Sequence, residues 1–131
     1  VIYVKDGTQK HFVIQDAAMN DLIRPTLYDA YHEIIPVAEP SSGDTMVADG
    51  VGPVCESGDY LAKSRTLPQL EQGDLLAIMT AGAYGAVQSG TYNTRPLVPE
   101  VLVKGENWAL VRPRQSYDEL IGLDRLAPWQ D

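Results

Sequence analysis

Short apolar runs divided by turn-forming residues are the feature that most constrains how this chain folds. Each run has the length of a β-strand, and glycine, proline or Asp-Gly pairs stand between the runs. Asp6-Gly7 and the turn at residues 104–107 each lie between two such runs, which is typical of β-hairpins. The predicted strands cover residues 1–5, 10–16, 31–37, 46–48 with 51, 59–63, 75–79, 100–103 and 108–112. This series predicts a mainly β domain, an antiparallel β-sandwich or barrel-like domain with two short helices.

The two segments that favour helices are both short. A helix is predicted from Pro25 to about Tyr31, because proline suits the first helical position. Ser116–Leu123 forms the second, since Ser116 and Glu119 make the capping-box pattern. The other segments are predicted as loops or close-packed turns: residues 39–45, residues 64–68 and the glycine-rich residues 81–93.

Composition and charge bound the class of protein. With 131 residues, of which 44% are apolar, the chain is long enough to form one globular domain with its own hydrophobic core. Its net charge of −8 argues against nucleic-acid binding, which needs a basic face. No apolar run approaches the ~20 residues that span a bilayer, so no membrane segment is predicted. The single cysteine excludes an internal disulfide and favours a reducing, cytoplasmic compartment.

The stretch VGPVCESGDY, residues 51–60, is the first candidate for chemistry. It holds the only cysteine, Cys55, followed directly by Glu56, and glycine and proline stand on both sides of the pair. Glycine allows backbone conformations that are closed to other residues, so the stretch is predicted as a bent loop between strands. A thiol and a carboxylate on such a loop can transfer protons. A buried structural cysteine beside a solvated glutamate is the alternative interpretation.

Two further candidates for ligand binding are the pair Arg24 and Tyr28 and the single residue Tyr84. Arg24 and Tyr28 lie four residues apart, on one face of the predicted helix, and together suit a carboxylate. Tyr84, between Gly82 and Gly85, suits a phosphate or a cofactor ring. The alternatives are a surface arginine and a core tyrosine with its hydroxyl at the edge.

Several familiar site patterns are missing from the sequence. His11 and His32 make no metal-binding spacing, so no metal is predicted. There is no P-loop, no dinucleotide-binding glycine fingerprint and no GxSxG. None of the four lysines, at positions 5, 10, 63 and 104, lies in the apolar setting that makes an amine reactive. A reactive lysine would therefore lie elsewhere, and the start without Met leads us to expect a chain cut from a longer protein.

Four segments, in order, resemble the C-terminal β domain of the diaminopimelate decarboxylase family. These pyridoxal-phosphate-dependent enzymes are related to alanine racemase and eukaryotic ornithine decarboxylase. The motifs CESGD, GAY and YNxRP carry the resemblance, which covers nearly all of residues 2–120. The segments are FVIQDAAMNDLIRPTLYDAYHEI, VGPVCESGDYLAK, GDLLAIMTAGAYGAVQSGTYNTRP and EVLVKGENWALVRPRQSYDEL.

The resemblance implies a role for each candidate residue. In that family an α/β barrel carries the lysine that binds pyridoxal 5'-phosphate, and the enzyme is a homodimer with its sites at the subunit interface. The Cys-Glu-Ser loop reaches into the partner's site, where Cys55 corresponds to the proton donor and Glu56 binds the distal amino group of meso-diaminopimelate. Arg24 and Tyr28 correspond to residues that bind the distal carboxylate. Tyr84 corresponds to the tyrosine beside the cofactor and its phosphate.

The resemblance also implies the reaction, a lyase that makes L-lysine and carbon dioxide in the last step of lysine biosynthesis. Residues 1–131 would be the C-terminal β domain of that decarboxylase, inactive alone. Two other interpretations stay open. One is the β domain of a related decarboxylase acting on arginine, ornithine or a carboxylated polyamine, against which the pair Arg24 and Tyr28 argues. The other is a free-standing β module that binds without chemistry.

Overall fold

A computed structural model describes residues 1–39 and 43–130, and its chain divides into two compact units, Val1–Ser89 and a second that begins at Gly90. The predicted loop at 39–45 includes residues 40–42, which lie outside the described residues. The strands are β1 Tyr3–Asp6, β2 His11–Ile14, β3 Ile34–Pro36, β4 Thr45–Val51, β5 Tyr60–Pro68, β6 Leu76–Ile78, β7 Glu100–Lys104 and β8 Asn107–Arg112. The helices are α1 Arg24–Tyr28, α2 Ala83–Ala86, α3 Tyr117–Ile121 and a 3-10 turn at Tyr92–Thr94. The predicted mainly β class is confirmed.

The main sheet of the first unit has the strand order β1-β2-β4-β5. Strands β1 and β2 form the predicted hairpin, and β4 pairs with β5 in antiparallel register. Strands β2 and β4 pair in parallel, from His11 beside Ala48 to Ile14 beside Val51. The predicted antiparallel β domain thus contains one parallel pair, because the long connection through α1 and β3 returns the chain in the same direction. Among the described residues no sheet closes into a barrel.

A second, two-stranded sheet, β3 with β6, completes the core of the first unit. Ile34 pairs with Ile78 and packs into the same apolar cluster as Val13 from β2 and Leu67 from β5. The buried members of this cluster are Val13, Ile34, Met46, Ala48, Ala62, Leu67 and Leu70. Every strand of the first unit except β1 and β6 contributes a buried residue to it, so this core fixes the ends of β4 and β5 between which the candidate loop lies.

Several element boundaries in the first unit differ from the predictions, among them the ends of β5 and α1. Strand β5 does not end at residue 63 but continues to Pro68, which pairs with Thr45 of β4. Helix α1 stops at Tyr28 rather than near Tyr31, because Asp29 adopts a left-handed conformation with φ of 54°. Both boundaries depend on pairing and backbone geometry that composition does not encode.

Helix α2 corrects the prediction of a turn without helix at residues 81–93. Gly82, with φ of 56°, precedes the helix, and Val87 N donates to the Ala83 carbonyl at 3.1 Å. Gly85 is buried, and a Cβ there would lie 3.3 Å from the Ala81 Cβ and 3.8 Å from Leu22 Cδ1. Close packing, which glycine permits, therefore stabilises one helical turn that intrinsic propensity alone would not.

The second unit contains the predicted hairpin and final helix. Strands β7 and β8 pair in antiparallel register around a turn at Gly105, whose φ is 59°. Ser116 caps α3: Glu119 N donates to Ser116 Oγ at 3.1 Å, and Ser116 N donates to Glu119 Oε2 at 2.8 Å. The hydrogen bonds that Ser116 N and Ser116 Oγ donate to Glu119 Oε2 lower the pKa of Glu119. Both the hairpin and the capping box are confirmed.

Among the described residues no helix is long and apolar enough to cross a bilayer.

Asp49 on β4 is a buried carboxylate that pairs across the main sheet. Its Oδ2 accepts a hydrogen bond from Lys10 Nζ, and its Oδ1 accepts one from Ser64 N at 2.7 Å. Burial raises the pKa of Asp49, but these hydrogen bonds and the nearby lysine charges outweigh it, so the pKa lies below the ordinary 3.8. A lowered pKa means that the charged carboxylate stabilises the folded state above that ordinary value.

We expect Asp49→Asn to lower the free energy of unfolding at pH 7 by about 1–3 kcal/mol, because its amide would turn a donor toward Lys10. The difference between the wild type and Asp49→Asn should shrink as the pH falls below 3.8 and through the lowered pKa of the folded state. Urea unfolding at pH 7 and pH 3 measures both values. Equal differences at the two pH values would contradict this account, and exposed Asp118→Asn serves as the control.

Candidate active site

The loop of residues 52–59, here called the Cys55 loop, joins β4 to β5. Val51 pairs with Tyr60, so the chain leaves and re-enters the sheet at neighbouring positions. Gly52 N donates to the Asp59 carbonyl at 3.1 Å, and Asp59 N donates to the Glu56 carbonyl at 3.0 Å. These bonds confirm the predicted bent loop between strands and hold its two ends together.

The two glycines within the Cys55 loop are required for space rather than for unusual backbone angles. Neither Gly52 nor Gly58 has a positive φ. A Cβ on Gly52 would lie 2.4 Å from an oxygen of the Asp59 carboxylate, and a Cβ on Gly58 would lie 2.8 Å from Thr26 Cγ2. The sequence-based explanation of these glycines was therefore wrong, because close approach of neighbouring groups is what excludes a side chain.

Cys55 and Glu56 are both exposed at the tip of this loop. The cysteine is a free thiol, so the interpretation of a buried structural cysteine is wrong for this chain. Glu56 Oε1 accepts a hydrogen bond from Gly58 N at 3.3 Å. The sulfur of Cys55 and the carboxylate of the next residue, Glu56, are thus both accessible to a molecule approaching the loop.

Helix α1 and helix α2 bring the other predicted site residues together. Arg24 begins α1 and Tyr28 ends it. The Arg24 guanidinium carbon lies 5.8 Å from the centre of the Tyr84 ring, within the range of a cation–π contact. Tyr84 is 61% exposed and Tyr28 is 60% exposed, so the interpretation of Tyr84 as a core tyrosine is wrong. An anionic ligand could meet the guanidinium beside the exposed Tyr84 ring, while Tyr28 is exposed at the other end of α1.

Helix α1 also contacts the Cys55 loop, which connects the two parts of the candidate site. Thr26 Oγ1 donates a hydrogen bond to the Gly58 carbonyl. Met19 N, shortly before α1, donates to Asp59 Oδ1 at 2.7 Å. The first unit therefore places an arginine, exposed tyrosines and an exposed thiol–carboxylate pair on neighbouring elements.

Sequence reasoning missed three residues that build this arrangement, Met19, Thr26 and Asp59. Asp59 closes the CESGD motif, yet no role was assigned to it, since a carboxylate in a loop usually meets water. The glycine on either side of the loop was the available signal, because glycine often marks close approach of another group. In the part of the chain that the structure describes, no group of three or more His, Cys, Asp or Glu could hold a metal ion.

A model of the pyridoxal-dependent decarboxylase C-terminal sheet domain matches residues 1–82. The chain belongs to this family. The diaminopimelate decarboxylase of Zymomonas mobilis is 53% identical over 129 residues, which are 98% of this chain and 30% of that protein. The diaminopimelate decarboxylase of Aquifex aeolicus is 50% identical over 121 residues, which are 92% of this chain and 29% of that protein. The chain thus spans about 30% of the length of these relatives.

Solved structures of diaminopimelate decarboxylases also resemble this chain over nearly its whole length. The diaminopimelate decarboxylase of M. jannaschii is 37% identical with a TM-score of 0.92, over 98% of this domain and 29% of that chain. The Helicobacter pylori diaminopimelate decarboxylase complexed with L-lysine is 41% identical with a TM-score of 0.86, over 94% of this chain and 30% of that chain. The lysine/ornithine decarboxylase of Vibrio vulnificus, 23% identical with a TM-score of 0.63, shares the fold. The resemblance inferred from the motifs is confirmed.

The residues of the sheet domain fit one edge of a pyridoxal phosphate site. An exposed phenol on Tyr84 is a donor for a phosphate, and the neighbouring Arg24 adds positive charge. All four lysines are exposed. Lys10 pairs with Asp49, and Lys63 lies 3.6 Å from the centre of the Tyr60 ring. The chain therefore fits contacts to the cofactor and offers no buried lysine for covalent attachment.

Proposed function

We propose that this chain is the C-terminal sheet domain of a diaminopimelate decarboxylase, which converts meso-diaminopimelate into L-lysine and carbon dioxide. One observation carries the proposal: α1 connects Arg24, beside the exposed Tyr84, to the loop that exposes Cys55 and Glu56. Relatives about 50% identical over nearly the whole chain are named diaminopimelate decarboxylases. Pyridoxal phosphate, when bound, accepts the electron pair released as carbon dioxide departs.

Arg24, Tyr28 and Glu56 bind the distal end of the substrate in this proposal. A guanidinium matches a carboxylate with two parallel hydrogen bonds, and the Tyr28 phenol adds a third. Glu56 pairs with the distal ammonium group. A substrate without the distal carboxylate would leave the guanidinium unpaired, which is how such a site rejects lysine, ornithine and arginine.

Cys55 supplies the proton that the reaction needs. Loss of carbon dioxide breaks a carbon–carbon bond, and the carbon left behind must gain one proton. The Cys55 Sγ donates that proton, becomes a thiolate and recovers a proton from water before the next turnover. Exposure of the thiol at the loop tip supports this role.

The Cys55 loop acts in the partner's site of a homodimer, and the cofactor-binding lysine lies in a preceding barrel domain. Exposure of Cys55, Glu56 and Tyr84 supports this arrangement, since the site needs covering groups from outside the chain. A free exposed thiol fits the reducing cytoplasm as its location.

The test is carbon dioxide release by the full-length protein with pyridoxal phosphate, offered meso-diaminopimelate, L-lysine, L-ornithine or L-arginine. We expect L-lysine as the product of meso-diaminopimelate, with kcat/KM at least about 100-fold above that of the other substrates. Preference for ornithine or arginine would assign the domain to a related decarboxylase instead. The 131-residue chain with added cofactor is expected to release no carbon dioxide.

A further inference from the structure

Tyr84 has both a hydroxyl and an aromatic ring, and the phosphate contact described above uses only the hydroxyl. The ring has a neighbour of its own, because the Arg24 guanidinium carbon lies 5.8 Å from its centre. Among the described residues, this guanidinium forms no ion pair with a carboxylate. Arg24 therefore keeps its N–H donors for an anionic ligand while an aromatic ring lies beside it.

The backbone and the packing of α2 fix the place of the Tyr84 ring. Gly82, two residues before it, has φ of 56° and ψ of −159°, a combination open almost only to glycine. Gly85, directly after it, is buried against Leu22, since a Cβ on Gly85 would lie 3.8 Å from Leu22 Cδ1. Leu22 is 5% exposed and stands two residues before Arg24. The ring is thus exposed to solvent but held beside the arginine by packed neighbours on both elements.

We propose that Tyr84 is a positioning residue whose ring holds the Arg24 guanidinium ready for the distal carboxylate of the substrate. This inference rests on the proposed function. Ordering a long side chain on binding lowers affinity, and a ring that orders the guanidinium beforehand removes part of that loss. The attraction between ring and cation also strengthens when a closed site excludes water. Both groups belong to one chain, so their contact does not depend on which subunit contributes the Cys55 loop.

Tyr84→Phe and Tyr84→Leu separate the ring from the hydroxyl in the full-length protein with bound pyridoxal phosphate. The probes are L-lysine, which as the product keeps the distal carboxylate, and cadaverine, the same diamine without it. Calorimetry gives their dissociation constants. Tyr84→Phe keeps the ring and should bind both probes as the wild type does. Tyr84→Leu should bind L-lysine about 5- to 30-fold more weakly than Tyr84→Phe, the range of a cation–π contact, and cadaverine equally well.

Tyr31→Leu is the matched control. Tyr31 is 71% exposed, and the Arg65 guanidinium carbon lies 3.9 Å from the centre of its ring. The substitution removes a similar contact that does not involve Arg24, so both dissociation constants should stay at their wild-type values. Absorbance titration of pyridoxal phosphate reports on the hydroxyl instead. Cofactor affinity should fall several-fold and equally in Tyr84→Phe and Tyr84→Leu, because both lack that group.

Equal affinity of Tyr84→Phe and Tyr84→Leu for L-lysine would overturn the positioning role. An equal weakening of L-lysine and cadaverine in Tyr84→Leu would overturn it too, because general damage to the site has that effect. If Tyr84→Leu does not fold, the same two comparisons are made with Tyr84→Met, which also lacks a ring. Wild-type protein that decarboxylates none of the four amino acids would refute the proposed function. An active wild type whose Phe and Leu variants bind L-lysine alike would refute the positioning role alone.

Discussion

Replacement of Cys55 by alanine in the full-length protein is expected to slow decarboxylation of meso-diaminopimelate by about 10²–10⁴-fold. This range is what a positioned proton donor contributes to a reaction. The thiol is exposed at the tip of a loop whose ends are hydrogen-bonded together, so its removal should leave the fold intact. Binding of pyridoxal phosphate should be unchanged, because the cofactor is held by other groups.

The measurement is kcat under saturating substrate, with the cofactor content of each preparation determined by absorbance. Cys55→Ser keeps a donor of similar size that is a weaker acid, so its kcat should lie between those of the wild type and Cys55→Ala. A wild-type turnover in Cys55→Ala would show that the thiol is not the proton donor. A parallel loss of cofactor would assign Cys55 a binding role instead.

Arg24→Met in the full-length protein is expected to lower kcat/KM for meso-diaminopimelate by several hundredfold or more. Loss of one member of a buried charge pair costs about 3–5 kcal/mol, and the distal carboxylate would lose its partner in the closed site. L-lysine keeps that distal carboxylate, because the carboxylate lost as carbon dioxide comes from the reacting carbon, so inhibition by this product should weaken as well. Steady-state kinetics with both compounds gives the two values.

Arg65→Met is the matched control for Arg24. The Arg65 guanidinium also lies over a tyrosine ring, 3.9 Å from the centre of Tyr31, and Nη1 donates to the His32 carbonyl at 2.8 Å. Its loss should lower thermal stability and leave KM for meso-diaminopimelate unchanged. Inhibition by L-lysine that is unchanged in Arg24→Met would contradict a carboxylate-binding role.

The parts of the fold that the sequence predicted are those set by neighbouring residues. Both hairpins have turn residues between their strands, and the cap of α3 needs only Ser116 and Glu119, which lie three residues apart. The parallel pairing of β2 with β4 has no such local signal, because it depends on the long connection that contains α1 and β3. The single turn of α2 likewise depends on Gly85 packing against Leu22.

In the candidate site, too, the sequence predicted the features that depend on nearby residues and missed the contacts between distant ones. The motifs indicated Cys55 and Arg24 as functional residues through a family resemblance. The contact of Arg24 with Tyr84, sixty positions away, arises only when α1 and α2 pack in the folded unit. Asp59 escaped notice because its two donors, at Met19 and Val54, are distant from each other in sequence. Residue type alone does not distinguish such a buried carboxylate from a solvated one.

Borohydride reduction of the full-length protein with bound pyridoxal phosphate tests the central claim most directly. That claim is that this domain gives substrate-binding groups and a proton donor to a cofactor held by another part of the protein. Reduction fixes the cofactor to its lysine, and peptide mass spectrometry locates it. We predict a single modified lysine outside residues 1–131. Modification of Lys5, Lys10, Lys63 or Lys104, or no modified lysine at all, would contradict the account.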